Sequence, residues 1–443
     1  MNLTELNKHI EQKTAKLAVI GLGYVGLPVA CEFARTGFDV LGVELLSERV
    51  DKINAGHSPI AGVEPGMSAL LAEVIDKQKL RATTDYQELR DRHVILIDVE
   101  TPVDEDHTPG YEALKTVLRE LGPVIKQGAL VIVESTVAPG TMTGLVVPLL
   151  EKYIGKSVNE GFYLGNCPER VMPGKLLANL RTLSRVVGGM TVETAQTMIS
   201  LYRHIIDADL DPTDCVTAEL VKTVENTYRD VQIAFANEIA LICEAVGADA
   251  WEVRQLVNKS PGRVMLYPGA GVGGHCIPKD PWLLAYGVKG KNVPLRIIPA
   301  AREINEGMPD HVLRLLHSAF AEAGLQLEKS RVLVLGYAYL EESGDTRNSP
   351  SEVLVGRLRT LGAEVEIHDP YVPAYQGDLY QLAQGCNAVI LMVRHNAYLN
   401  IDLHRLKTWL STPVLIDGRH MLNFIKFREA GFIYRGVGIG ENY

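Results

Sequence analysis

Short apolar runs alternate with amphipathic segments along the first half of the chain. Leu17–Ile20, Val40–Glu44, Val94–Asp98, Ala129–Glu134 and Phe162–Asn166 read as strands. Helical spacing intervenes, first through Leu27, Ala30, Phe33 and Ala34. Strands alternating with helices predict a mostly parallel sheet covered on both faces. Arg185–Gly189 reads as one more short strand at the end of this region. From about Thr217 the pattern changes. Leu220, Val224, Tyr228, Val231, Phe235, Ile239, Ile242 and Val246 recur every three or four residues, which predicts one long amphipathic helix ending near Gly247. That exceeds the usual globular helix length. The stripe suits a spine between domains with a dimer surface, and equally a core helix of one large domain. A third region starts near Arg331. Its strands are Val332–Gly336, Val365–Pro370, Ala388–Met392 and Val414–Asp417, a second α/β unit resembling the first.

The first strand runs straight into Gly21-Leu22-Gly23-Tyr24-Val25-Gly26 and then into a helix. In strand, G-x-G-x-x-G, helix, the first glycine makes the tight turn. The second admits a pyrophosphate, and the third lets helix and strand pack closely. The helix N-terminus offers free N–H groups and a positive dipole end to phosphates. The second strand ends at Glu44, about twenty residues on, where an acid binds the adenosine ribose hydroxyls and repels a 2′-phosphate. A dinucleotide site that favours NAD over NADP follows. The second α/β unit lacks this glycine fingerprint and is expected to hold a different nucleotide.

Composition narrows the class. The chain has 443 residues, so two or three domains are expected. Net charge is −10, which argues against a nucleic-acid surface. An anionic substrate would then need local cations. The six cysteines, Cys31, Cys167, Cys215, Cys243, Cys276 and Cys386, form no C-x-x-C, so neither a disulfide framework nor a zinc site is indicated. No metal is expected. Met1 to Thr14 is polar and lacks an apolar signal core, and no apolar run is long enough to span a bilayer. A cytoplasmic protein with free thiols and no membrane partner is expected.

One cysteine stands apart. Cys276 follows a loop rich in glycine (Gly269, Gly271, Gly273, Gly274), with His275 before it and Lys279 and Asp280 after it. Glycines let a backbone approach a ligand closely, and a thiol near cations tends toward the nucleophilic thiolate. Taken alone, a buried structural cysteine in a turn is the ordinary reading. Joined to a dinucleotide site, the thiol suggests oxidation through a covalent thiohemiacetal, hydride loss to a thioester, and hydrolysis. That chemistry needs an oxyanion-stabilising cation and a base or water holder. Lys222 and Asn226 lie four apart on the long helix and share one face. Taken alone, Lys222 reads first as a solvated helix lysine pairing with Glu219 or Glu225.

Six ordered motifs carry a resemblance. They are Gly21 to Pro28, Glu134-Ser135-Thr136-Val137-Ala138-Pro139-Gly140-Thr141, Cys167-Pro168-Glu169-Arg170, Lys222-Thr223-Val224-Glu225-Asn226, Gly273 to Cys276 with Lys279-Asp280, and Gly344-Asp345-Thr346-Arg347-Asn348-Ser349-Pro350. With these the chain resembles, nearly end to end, the UDP-glucose/GDP-mannose 6-dehydrogenase family of NAD-dependent enzymes. The resemblance implies an α/β fold of two Rossmann-like doubly wound domains joined by a long central helix, paired into a homodimer or higher homo-oligomer. Expected domains are 1–210 for NAD, 211–310 for the central helical dimerisation region and 311–443 for the nucleotide-sugar. It implies Cys276 as nucleophile, Lys222 as oxyanion stabiliser, Asp280 and Asn226 as holders of substrate and water, Glu169 in acid–base and hydrolytic steps, and Thr136 as positioner of a water. NAD contacts are implied at Gly21, Gly23, Tyr24, Val25, Gly26, Glu44, Arg49, Thr101, Ser135 and Thr136. Substrate contacts are implied at Glu169, Arg170, Lys222, Asn226, Arg263, Leu266, Tyr267, Gly273 and Arg347, with Arg263 reaching the sugar from a neighbouring subunit.

Three departures from the family pattern concern nucleotide binding. Tyr339-Leu340 stand where the family commonly has Phe-Lys. Met265-Leu266 replace the aromatic that stacks on uracil, and Val99-Glu100-Thr101-Pro102 replaces Val-Pro-Thr-Pro. Pro168 to Gly174, Arg185 to Gly189 and Asp280-Pro281-Trp282 resemble the N-acetylhexosamine branch, most nearly members acting on UDP-N-acetyl-D-mannosamine, with UDP-N-acetylglucosamine the close alternative. Arg170 is a candidate partner for the acetamido group. A catalytically silent nucleotide-sugar-binding protein on the same fold would be free to lose Cys276. An epimerase using NAD transiently would not need a nucleophilic cysteine such as Cys276.

Overall fold

The computed structural model describes residues 1–60, 64–171 and 174–440. The chain divides into two compact units, Met1–Glu225 with Trp282–Val293, and Asn226–Pro281 with Pro294–Tyr443.

The first unit is built on an eight-stranded sheet. Its strands are β1 (Lys16–Ile20), β2 (Asp39–Val43), β3 (Leu80–Thr83), β4 (Val94–Ile97), β5 (Ala129–Val133), β6 (Phe162–Asn166), β7 (Arg185–Gly189) and β8 (Leu210–Asp214). They lie in the order β3-β2-β1-β4-β5-β6-β7-β8, parallel throughout except for β6 against β7. Strand order reverses between β1 and β4. At that point a doubly wound sheet leaves a crevice for a ligand beyond the carboxyl ends of its strands. Register places Val19 between Gly42 and Leu96. Alternate side chains enter opposite cores: Leu17, Val19, Val94 and Leu96 on one face, Ala18, Ile20, Ile95 and Ile97 on the other. Burial on both faces is why these strands are continuous apolar runs in the sequence.

The second unit carries five parallel strands: β9 (Arg331–Leu335), β10 (Glu364–His368), β11 (Ala388–Leu391), β12 (Val414–Asp417) and β13 (Ile433–Gly436). Their order, β10-β9-β11-β12-β13, reverses between β9 and β11. Again alternate residues split between two cores, Val332 and Val334 against Leu333 and Leu335. Three strands, β3, β8 and β13, have no counterpart in the sequence-based expectation.

A single helix of 32 residues, Cys215–Val246, runs from the first unit into the second. The expected stripe is present but faces outward. Leu220, Val224, Tyr228, Phe235, Ile242 and Val246 are exposed, whereas Val231 and Ile239 are half-buried. The buried face is small or polar, with Ala218, Thr223, Thr227, Asp230, Asn237 and Ala240. Among the described residues no helix is long and apolar enough to cross a membrane.

Candidate active site

The glycine fingerprint sits at the β1/β4 reversal. Gly21 turns with φ of 92°, and a Cβ there would lie 2.3 Å from the Asp98 carbonyl oxygen. A Cβ on Gly26 would lie 2.0 Å from the Gly21 carbonyl oxygen, so the third glycine permits the helix Gly26–Arg35 to start against the turn. Gly23 faces open space, with nothing within 4 Å of a built Cβ. Glu44 directly follows β2. Its carboxylate accepts the Leu45 N–H at 2.9 Å and stands 3.6 Å from Arg49 Nε, while Arg49 donates to the Leu22 carbonyl at 2.9 Å. The tight turn, the open face at Gly23 and the tethered acid fit a dinucleotide with a free ribose 2′-hydroxyl. Tyr24 donates its hydroxyl to Glu64. Val25 caps the helix that follows.

The loops after β4 and β5 are laced together. Thr101 Oγ1 donates to the Thr136 carbonyl at 2.6 Å, and Ser135 Oγ donates to the Val99 carbonyl at 2.7 Å. Beneath them Glu219, on the long helix, accepts the Gly140 and Met142 N–H groups at 2.6 and 2.7 Å. Burial pushes its carboxyl up to about 7, against the pull of those backbone donors.

Glu169 follows β6 and is buried. It pairs with the buried Arg185 and accepts the Arg170 N–H at 2.7 Å. The Arg170 guanidinium is clasped by Glu225, Nε at 3.1 Å and Nη2 at 2.5 Å, and Nη1 donates to the Ser184 carbonyl at 2.7 Å. Of the expected Pro168–Gly174 segment, Met172 and Pro173 lie outside the described residues. Lys222 is half-buried, and its two candidate helix partners are engaged elsewhere, Glu219 by backbone amides and Glu225 by Arg170. Among the described residues Lys222 enters no ion pair, unlike an ordinary solvated lysine of a helix face.

In the second unit, the loop leading to Cys276 is pinned at both ends. Asn237 Oδ1 accepts the Gly269 N–H at 2.9 Å, and the Gly274 N–H donates to the Arg347 carbonyl at 3.0 Å. Gly271 and Gly274 have φ of 118° and 87°, a region that disfavours other residues. Cβ atoms on Gly273 and Gly274 would fall 2.6 and 2.7 Å from Tyr339 side-chain atoms. Tyr339, which departs from the family pattern, therefore fills the space that these glycines leave.

Cys276 is exposed and the other five cysteines are buried. Burial pushes the Cys167 and Cys215 thiols up to about 12 and the Cys386 thiol up to about 11. Those thiols are inert, so exposure singles out Cys276. The carbonyl of Cys276 accepts the Asp280 N–H at 2.9 Å, closing one turn. Asp280 is buried, with Asn226 Nδ2 at 2.5 Å on one oxygen and Lys279 Nζ at 2.9 Å on the other. Arg347 Nε donates to Asp345 at 2.9 Å, and its charge interacts with Cys276. Leu266 is half-buried and Tyr267 exposed, with the Arg254 guanidinium 3.5 Å over the Tyr267 ring. Arg263 is exposed and donates to the Pro261 carbonyl at 2.9 Å.

The turn after β9 differs from the one after β1. Asp369, at the end of β10, accepts the Tyr337 and Ala338 N–H groups at 2.7 and 2.9 Å. With His395 these donors hold its carboxyl down at about 2 against burial, which raises it. The amides that would take phosphate in a dinucleotide turn are thus occupied by a carboxylate. Among the described residues no group of three His, Cys, Asp or Glu side chains is arranged to hold a metal.

Sequence reasoning assigned no role to Asp98, Tyr202, Arg185 or Asn237. For Asp98 and Glu134 a signal existed, an acid directly after an all-apolar strand.

Comparison with known proteins supplies the family. Residues 15–206 match the NAD binding domain of the UDP-glucose/GDP-mannose dehydrogenase family, 216–307 its central domain and 333–424 its UDP binding domain. The UDP-N-acetyl-D-mannosamine dehydrogenase of Pyrococcus horikoshii is 39% identical over 426 residues, which is 96% of this chain and 100% of that protein. A solved structure of UDP-D-ManNAc dehydrogenase from the same organism superposes with a TM-score of 0.90 at 37% identity, covering 96% of this chain and 99% of that one. The NDP-N-acetyl-D-galactosaminuronic acid dehydrogenase of Methanosarcina mazei Go1 superposes with a TM-score of 0.88 at 34% identity, covering 100% and 99%. The chain belongs to the UDP-glucose/GDP-mannose dehydrogenase family and is an NAD-dependent UDP-sugar dehydrogenase.

Proposed function

We propose that this protein oxidises the C6 alcohol of UDP-N-acetyl-D-mannosamine to the uronate in two NAD-linked steps, through a covalent adduct on Cys276. The observation that carries the reading is the exposure of Cys276. It is the one exposed thiol of six, one turn before a buried Asp280 that is bonded to Asn226. NAD, when bound at the β1/β4 reversal, accepts one hydride in each oxidation. Gly21, Gly23, Val25 and Gly26 hold its phosphates, and Glu44 with Arg49 its adenosine ribose.

In the first oxidation C6 loses a hydride, and its hydroxyl proton passes to a base or water at Glu169. The resulting aldehyde is attacked by Cys276 Sγ. A C–S bond forms, and the carbonyl oxygen becomes an oxyanion that Lys222 stabilises and Asn226 hydrogen-bonds. Loss of the second hydride leaves a thioester. Water held by Thr136 and Asp280 and activated at Glu169 then attacks, the C–S bond breaks, and carboxylate and thiol are released. Overall one alcohol, two NAD and one water give one carboxylate, two NADH and three protons.

The relative named for N-acetyl-D-mannosamine supports the sugar assignment. A second reading, another N-acetylhexosamine epimer, is favoured by the Methanosarcina relative named for N-acetyl-D-galactosaminuronic acid. UDP-N-acetylglucosamine differs from the proposed sugar at one stereocentre. On the nucleotide side Arg347, Gly273, Leu266 and Tyr267 are the proposed contacts, and Arg263 reaches the sugar from a second copy of the chain. Arg170, clasped by Glu225 and Ser184, is a preoriented partner for the acetamido group. The outward apolar stripe of the long helix supports pairing with a second copy. Parallel assays with the three UDP-N-acetylhexosamines and UDP-glucose test the substrate. Turnover confined to UDP-N-acetyl-D-mannosamine is expected, and turnover with another sugar alone refutes the assignment.

A further inference from the structure

Ionisable side chains from successive strand ends converge inside the first unit. Asp98 follows β4, Glu134 follows β5, Glu169 follows β6 and Arg185 opens β7. Glu134, Glu169 and Arg185 are buried. The Arg185 guanidinium pairs with Glu169 and lies 3.2 Å from Glu134 Oε1, which also accepts the Tyr202 hydroxyl at 2.7 Å. Asp98 Oδ2 and Glu134 Oε2 are buried and lack any hydrogen-bond donor, although the two carboxyl groups lie within hydrogen-bonding reach of each other. Ionised carboxylates only accept, so a proton between them is what gives both a partner. Burial raises both acids, Asp98 well above its ordinary range. The other ionisable groups facing the cluster, Cys167 and Tyr202, are kept neutral by burial. On its far side Asp98 backs onto the cofactor turn, where a Cβ on Gly26 would lie 3.0 Å from Asp98 Cβ.

We propose that Asp98, Glu134 and Arg185 are positioning residues for Glu169: Asp98 and Glu134 share one proton, and Arg185 bridges that pair to Glu169 and holds its carboxylate fixed. This rests on the acid–base reading of Glu169 given above. With three carboxyls and one guanidinium, full ionisation would leave two uncompensated negative charges in the interior. The shared proton reduces this to one, so Arg185 need not be drawn wholly toward Glu134.

Two measurements on the full-length protein test it. Infrared difference spectra between wild type and Asp98→Asn should show a protonated-carboxyl stretching band that the variant lacks, and absence of the band from wild type overturns the shared proton. Kinetics of Glu169→Gln, Arg185→Lys and the double variant test the positioning. Glu169→Gln should lose about 100-fold or more in kcat, the range of a positioned acid–base group. Arg185→Lys, which keeps the charge but not the fork, should lose roughly tenfold in kcat with the KM for NAD changed less than about twofold. Added to Glu169→Gln, it should cost less than about twofold more. Equal losses from Arg185→Lys in both backgrounds would make Arg185 merely structural and overturn the positioning role alone. A Glu169→Gln enzyme at the wild-type rate would refute the acid–base reading itself and the positioning role with it, while leaving the infrared result to decide proton sharing.

Discussion

Replacing Glu219 with glutamine removes a titration that the fold couples to stability. The carboxyl is buried and accepts two backbone N–H groups, from Gly140 and Met142. Its folded-state value lies at about 7 instead of the ordinary 4.5, because burial outweighs those donors. A raised carboxyl stabilises the fold fully below about 4.5, where both states are protonated, and loses that contribution as pH rises through about 7. At 1.36 kcal/mol per pH unit the interval corresponds to roughly 3 kcal/mol. Glutamine does not titrate, and its amide cannot accept both N–H groups, a loss of about 1–3 kcal/mol that does not vary with pH. Urea unfolding of both proteins from acid to neutral pH, with protection factors for the Gly140 and Met142 amides as the local probe, reads the effect. The stability advantage of wild type over Glu219→Gln should shrink across that window by roughly 3 kcal/mol. A constant difference would refute the reasoning, because every other carboxyl is common to both proteins. Glu219 ties the long helix to the segment after β5 through the Gly140 and Met142 amides.

Glu44→Ala should relax the preference for NAD, lowering the NADP-to-NAD ratio of KM by about tenfold or more as a 2′-phosphate ceases to meet a carboxylate. Initial rates with each cofactor check this. In Gly273→Ala the new methyl would meet the Asn348 carbonyl and Tyr339 Cβ, both at 2.6 Å. A loss of about 1–3 kcal/mol in stability and a changed alkylation rate at Cys276 are expected from melting curves and iodoacetamide labelling. Tyr228→Glu with Phe235→Glu places charge in the outward stripe, where these side chains are 63% and 54% exposed. Sedimentation should show a dimer for wild type and a monomer for the variant.

The interior strands were legible because burial on both faces writes them as apolar runs. The strands without such a signal are edges: β3 and β8 bound the first sheet and β13 the second. β8 reads Leu-Asp-Pro-Thr-Asp, with a proline and two acids where a central strand would be apolar. β3 exposes Arg81, and β13 contains Arg435 and Gly436. The long helix was legible in period but not in direction. Periodicity reports a stripe and not what covers it, and here the buried face is the small, polar one. Spacing singled out the glycine turn, the Lys222–Asn226 pair and Cys276 as candidates. It did not identify partners distant in sequence. The pairing of Arg185 with Glu169, the Asn237 bond to Gly269 and the occupation of the β9 turn by Asp369 depend on tertiary approach, which no local pattern encodes.

The measurement that tests the central claim most directly is the number of NADH released per UDP-N-acetyl-D-mannosamine consumed, by wild type and by Cys276→Ala. Two NADH per sugar for wild type, with uronate as product, and no uronate from Cys276→Ala are predicted. One NADH per sugar from wild type, or two from the alanine variant, would contradict oxidation through a Cys276 thioester.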